Sequence, residues 1–246
     1  MPGSPNPVWQ QSEQLYLKRS QGSKTLRFLG LWGLKVPAPA SFYLVTIINH
    51  LLLLLFMLNK KVFQELREGI EKFDAMREEL IAQSRLILKA SKAAIYAAHR
   101  GDMKEAQELL TGTKKTLVQI DGLLKKDAHL AATGAYGDAL EEYAEAACYI
   151  HYLATKQIAT PKQIGVDADV YLPALGDLVG ELVRKAVNSV IAGDSTTALE
   201  IKDTVSELYA ELMLFDWRNT PARKKFDSIK YGLEKLEDLA LKIKLK

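Results

Sequence analysis

Two segments of this 246-residue chain place carboxylates where a helix would bring them together. In "LEEYAEA", residues 140–146, Glu142 and Glu145 stand three apart and share one helical face, while Glu141 and Asp138 lie elsewhere on the wheel. Tyr149 and Tyr152 fall on the same side as this pair. Like charges at that spacing repel by about 0.2–0.5 kcal/mol when exposed, and by more when shielded from water. A bound cation would offset that cost. In "GDLVGELVRKAVN", Asp177, Glu181, Arg184 and Asn188 recur at i, i+4, i+7 and i+11 as one polar stripe. Leu175, Leu178, Val179, Leu182, Ala186 and Val190 cover the rest of that helix. A helix so apolar is largely buried, so its polar stripe faces a cavity or another polar stripe. If the two stripes meet, four carboxylates converge with no histidine among them. That is a hard oxygen-donor set, suited to Mg²⁺ or Mn²⁺ rather than zinc or copper.

Spacing alone leaves a second reading open. Helical bundles carry many glutamates on solvated faces, and Arg184 offers Glu181 an i,i+3 partner. A ferritin-like di-iron site is set aside, because it needs Glu-x-x-His. None of His50, His99, His129 and His151 has a glutamate three residues before it. His99 and His151 read as packing or hydrogen-bonding residues.

The elements that hold these residues are all helical. A long helix is predicted over 60–100, closed by "RGD". Asp102 with Glu105 reads as a capping box for a second helix ending near residue 126. "TGAYGD" precedes a third over 139–157, and "TPKQIG" reads as one short turn. A fifth runs over 168–192 with Gly193 as its cap, Asp194 or Ser195 caps a sixth, and Thr220-Pro221 starts a last over 222–244. The expectation is an all-α bundle of about six or seven helices joined by short loops. No strand alternation, glycine-rich phosphate loop or internal repeat is visible.

Composition divides the chain near residue 56. The first 56 residues hold five of the eight prolines and two of the three tryptophans, which argues against regular helix there. Of 33 basic and 30 acidic residues, five and one lie in that stretch, leaving 28 and 29 for the remainder. The body is therefore electrically balanced, and nucleic-acid binding would need a local patch rather than a global field. Residues 41–58 form a mostly apolar run of marginal spanning length, with Asn49 and His50 at its centre as a penalty. Three readings compete for it: a signal anchor, an element packed on the body, and an extension outside the natural domain. The composition break, with Met57 where a helical domain would begin, favours the last and argues against a membrane partner. The expected domains are a 1–56 extension and a 57–246 helical domain. Cys148 is the only cysteine, which excludes an intrachain disulfide and the usual zinc set. It reads as an inert buried thiol in a reducing, cytoplasmic setting.

Four segments in order resemble the translin/Trax family. "SRLILKASKAAIYAAHR" (84–100) is similar to the first-helix signature of the Trax branch, and "EEYAEAACYIHYL" (141–153) to the Trax segment with its catalytic glutamates. "DVYLPALGDLVGELVRKAVNSVIAGD" (169–194) resembles the family's most recognisable stretch, and "ARKKFDSIKYGLEKLEDLALKI" (222–243) its final helix. The resemblance covers roughly 60–244. It implies a translin-like seven-helix fold assembling into hollow closed oligomers, from hexamer to octamer, with RNA bound inside. Trax-type members are metal-dependent endoribonucleases acting on single-stranded RNA; translin-type members bind nucleic acid, single-stranded DNA included, and lack the catalytic carboxylates. Glu142, Glu145 and Asp177 match the Trax catalytic positions, and Glu181 a neighbouring acid of the same motif. The resemblance thus implies an endoribonuclease whose Mg²⁺ or Mn²⁺ is held by Glu142, Glu145, Asp177 and Glu181. Homo-oligomer and hetero-oligomer with a translin-type subunit both stay open, as does a non-catalytic binding protein.

Binding RNA calls for cations near those acids. Arg85, Lys89 and Lys92 stand at i, i+4 and i+7, one stripe able to track a phosphate backbone. Arg100, Arg184 and Lys185 add to it, and Tyr149 and Tyr152 are candidates for stacking on bases. "ARKK" (222–225) reads instead as a surface cluster at a helix start, or an oligomer contact.

Overall fold

The computed structural model describes residues 47–49 and 59–245. All but residues 47–49 of the expected apolar run over 41–58 and of the proposed 1–56 extension lie outside the described residues. Two compact units are distinguished, Met1–Gln64 and Glu65–Lys246. The description below concerns the second. Seven α-helices and one 3-10 turn make up the described elements, with no strand among the described residues. They are α1 (Lys60–His99), α2 (Met103–Leu124), the 3-10 turn Ala128–Ala132, α3 (Gly134–Thr155), α4 (Pro161–Ile164), α5 (Ala168–Ile191), α6 (Ser195–Leu212) and α7 (Pro221–Lys244). No helix among the described residues is long and apolar enough to cross a membrane.

Local chemistry sets most helix ends. Asp102 caps α2 by accepting from the Glu105 amide at 2.9 Å, but the Glu105 carboxylate turns to Arg100 at 2.7 Å, so the expected capping box is only half made. The full reciprocal box occurs instead at α4, where Thr160 and Gln163 satisfy each other's backbone amides. Asp194 caps α6 through the Thr197 amide at 3.0 Å. The largest departure from expectation is α3, which begins at Gly134 rather than near residue 139. "GAYGD" is helical despite two glycines because Ala139 and Tyr143, one turn on, are fully buried and hold that end in the core.

Packing follows the helical periods. On α1, Leu80, Ser84, Ile87, Ser91, Ala94 and Ala98 form a continuous buried stripe at alternating steps of four and three. On α7, Ile229 and Leu236 are its buried anchors. α5 is the central element, packed against α3, α6 and α7. Both α3 and α5 are buried over most of their circumference, which leaves their carboxylates few places to go.

Candidate functional site

Glu142, Glu145, Asp177 and Glu181 all line one cleft of about 650 Å³. α3 supplies the first two and α5 the others. α1 adds Lys92 and Tyr96, and α7 adds Ser228, Tyr231 and Lys235. The two polar stripes therefore do meet.

Each acid has a different environment. Glu142 faces Lys92, whose Nζ lies 3.6 Å from Oε2. Burial raises its pKa, Lys92 works against that rise, and Asp177 and Glu181 add to it. Glu181 is held by His99 Nε2 and lies 3.7 Å from Arg184. The His99 hydrogen bond lowers its pKa, against burial, with the His99 and Arg184 charges helping. Asp177 accepts from Lys225 Nζ at 2.7 Å, and the same ammonium donates to Glu141. Burial works against the Lys225 charge, but these two carboxylates outweigh it and raise its pKa. Glu145 is the exception: only 7% exposed, its carboxylate has no hydrogen-bond or ion-pair partner among the described residues. Burial, then the charges of Glu142, Asp177 and Glu181, push its carboxyl up to about 8.

An unpaired glutamate whose burial favours the protonated form, set among three other carboxylates, suits an incoming divalent cation, which would take the proton's place. The donor set is all carboxylate oxygen, as Mg²⁺ or Mn²⁺ prefers. Among the described residues no three such side chains are closed around a single point. Three of the four acids have a cationic or histidine partner: Lys92 at Glu142, Lys225 at Asp177 and His99 at Glu181.

Other expectations resolve unevenly. Arg184 packs over the Tyr96 ring, 5.0 Å from its centroid, at the rim of the cleft. Lys92 reaches the site, but Lys89 borders a separate groove between α1 and α2. Arg85 is exposed and absent from the lining of the cleft, and Arg100 is paired with Glu105. The predicted cationic stripe thus contributes one residue of three to the cleft. Tyr149 and Tyr152 cannot stack on bases. Both are buried, at 0% and 1% exposure, with Tyr149 Oη 3.0 Å from His99 Nδ1 and Tyr152 Oη 3.1 Å from Thr204. They share an arc of α3 with the glutamates but do not line the cleft; the tyrosines that do are Tyr96 of α1 and Tyr231 of α7, both half exposed. Glu141 is not a free surface residue, and Lys225 of "ARKK" is not a surface cluster: they hold each other beside Asp177. Cys148 is fully buried and its thiol is pushed up to about 12 by burial, which leaves it unreactive.

The approach of α7 to α5 explains why Lys225 arrives there. A Cβ on Gly176 would lie 2.9 Å from Lys225 Cβ, and one on Gly232 would lie 2.8 Å from Val179 Cγ1. Paired glycines let the two backbones close at both points, which brings the Lys225 stem beside Asp177.

The Translin family model matches residues 75–246, a span that contains every residue of the cleft. The chain belongs to the Translin family. Translin of Gallus gallus is 31% identical over 114 residues, which is 41% of this chain and 50% of that protein. The chain thus spans about half the length of the Translins it matches. Translin-associated protein X of Rattus norvegicus is 26% identical over 229 residues, 76% of this chain and 77% of that one. The crystal structure of apo-NeC3PO superposes with a TM-score of 0.69 at 28% identity, covering 75% of this chain and 97% of that chain. The translin-type helical bundle expected from the sequence is therefore the fold of this Translin-family chain.

Proposed function

We propose that this chain is a metal-dependent endoribonuclease that hydrolyses phosphodiester bonds in single-stranded RNA, working in the cytoplasm inside a closed oligomer. The observation that carries the reading is the meeting of Glu142 and Glu145 with Asp177 and Glu181 in one cleft, with Glu145 buried and unpaired. These four carboxylates would hold Mg²⁺ or Mn²⁺, with Glu142, Glu145 and Asp177 as the catalytic set. When bound, such an ion supplies a water of lowered pKa and stabilises charge developing on the scissile phosphate. The remaining work falls to the chain's own groups. Lys92, half exposed beside Glu142, is placed to meet a phosphate at the mouth of the cleft. Tyr96, with Arg184 against its ring, offers a face on which an unpaired base can stack. His99 keeps the Glu181 carboxylate in one orientation, and Tyr149 in turn holds the His99 ring. A duplex would keep its bases turned inward, away from such a face, which favours single strands.

The alignment with Translin-associated protein X over 76% of this chain supports the catalytic branch, and the oligomer is proposed on the same family basis. Its subunits are further copies of this chain or a translin-type partner. The test is to incubate the full chain with labelled single-stranded RNA, with and without Mg²⁺ or Mn²⁺, beside Glu142→Ala and Glu145→Ala. Cleavage that requires the ion and is lost in both variants is expected. Equal cleavage by the variants refutes the site; RNA retention without cleavage under any condition favours a non-catalytic binding protein.

A further inference from the structure

The proposed reaction does not explain the placement of Lys225. Its ammonium sits between two carboxylates on different helices, 2.7 Å from Asp177 Oδ2 and in hydrogen-bond contact with Glu141 Oε2. It is not a loose surface pair. The lysine is half-buried, and its Cβ lies only 2.9 Å from where a Cβ on Gly176 would stand, so the backbone contact fixes where the stem begins. Its field also reaches Glu145, on which it is the opposing positive charge. Asp177 is thus a carboxylate wanted by two cations, the lysine and a divalent ion, while Glu141 lies outside the lining of the cleft.

We propose that Lys225 competes with the divalent cation for Asp177, and that Glu141 is the anchor that keeps the lysine when Asp177 changes partner. The inference rests on reading the cleft as a divalent-cation site. A lysine suits this part better than an arginine: it is a compact charge on a flexible stem with no bidentate geometry to break. Because Nζ already touches both carboxylates, the hand-off needs a small shift of the ammonium, with no loss of its last ionic partner. Lys225 and Glu141 are in this sense positioning residues. They set the affinity and selectivity for the ion by deciding what it has to displace, and a monovalent ammonium concedes the site to a divalent ion more readily than to sodium or potassium.

The test is Mn²⁺ binding to the full chain, read by isothermal titration calorimetry without RNA, for wild type, Lys225→Met, Lys225→Arg, Glu141→Gln and Asp177→Asn. Competition predicts that Lys225→Met tightens Mn²⁺ binding about tenfold, the weight of a modest coupling between neighbouring charges. Glu141→Gln weakens it by about threefold to tenfold, because the lysine then has only Asp177 to hold. Lys225→Arg keeps the positive charge and does not tighten binding. Helical content and melting temperature, recorded for each variant, separate these shifts from misfolding, and a structural role alone would not move the two variants in opposite directions. Lys225→Met binding no tighter than wild type, while Asp177→Asn abolishes binding, overturns the competition and leaves the metal site standing. A Glu141→Gln affinity equal to wild type overturns the hand-off. Failure of wild type to bind Mn²⁺ at all removes both the inference and the reading beneath it.

Discussion

Replacing Glu145 by glutamine tests the electrostatics of the cleft without any assumption about substrate. Folding carries the Glu145 carboxyl from the ordinary 4.5 of an exposed glutamate up to about 8. Between these values the folded chain keeps a proton that the unfolded chain releases, so stability falls as pH rises through the window. At about 1.4 kcal/mol per pH unit, the ceiling of that loss is on the order of 5 kcal/mol. Side-chain relaxation and water entry reduce it, and about 2–4 kcal/mol is the working figure. For a chain of this size each kcal/mol moves the melting temperature by about 2–4 °C, so the expected fall is roughly 5–15 °C. Glu142 adds to the same slope, because burial raises it too. Glu181 has the opposite sign, but its lowered pKa places its contribution below the window: present above the ordinary glutamate value and lost only as pH falls beneath it. The assay is thermal unfolding in EDTA at pH 5 and pH 8, at fixed protein concentration, for wild type and Glu145→Gln. The variant should match wild type near pH 5, exceed it at pH 8, and show a flatter slope between. Saturating Mg²⁺ should raise wild type at pH 8 and leave the variant nearly unchanged. Parallel slopes for the two proteins would refute the reasoning, because Glu145 would then be solvated or already paired.

Tyr149→Phe should leave RNA affinity unchanged in fluorescence anisotropy and cost about 1 kcal/mol of stability, whereas Tyr96→Ala should weaken RNA binding by about 1–3 kcal/mol. Gly232→Ala drives a Cβ to within 2.8 Å of Val179 Cγ1 and should destabilise by about 1–3 kcal/mol in urea unfolding, with Val179→Ala in the same chain recovering much of the loss. His99→Phe leaves both Glu181 and the Tyr149 hydroxyl without their partner and should cost about 2–3 kcal/mol, read as a drop in melting temperature at pH 7. Cys148 should resist iodoacetamide in the native protein and react only when urea unfolds the bundle, as mass spectrometry would show.

What could be read in advance was whatever depends on position along one helix. The pairing of Glu142 with Glu145, and of Asp177 with Glu181, follows from 3.6 residues per turn, and the apolar surroundings of the second pair require that it face something polar. A wheel gives the angle between two side chains but not the direction of water. α3 is buried on nearly every side, so Tyr149 could share an arc with the glutamates and still lie wholly in the core. The cations were missed for the opposite reason. Arg85 and Lys89 had the right helix and the wrong side of it, while Lys225 lies 48 residues from Asp177 and 84 from Glu141, on a helix whose relation to them no spacing rule supplies.

A weaker signal was nevertheless present. Gly176 immediately precedes Asp177, and Gly232 stands seven residues after Lys225, on the same face of α7 as the lysine. Glycine inside a helix costs about 1 kcal/mol relative to alanine, so two of them on facing helices call for a close approach to offset the loss. Val179, one turn beyond Gly176, is the side chain that Gly232 accommodates, just as Gly176 accommodates Lys225. The two contacts fix α7 against α5 at two points about two turns apart on α7, and so dictate which α7 side chain stands beside Asp177. That side chain is a lysine. A neutral residue there would have left Asp177 and Glu141 without the ammonium they share. With Lys225 in place, the same backbone contact that closes the core also supplies the positive charge that a divalent ion must displace.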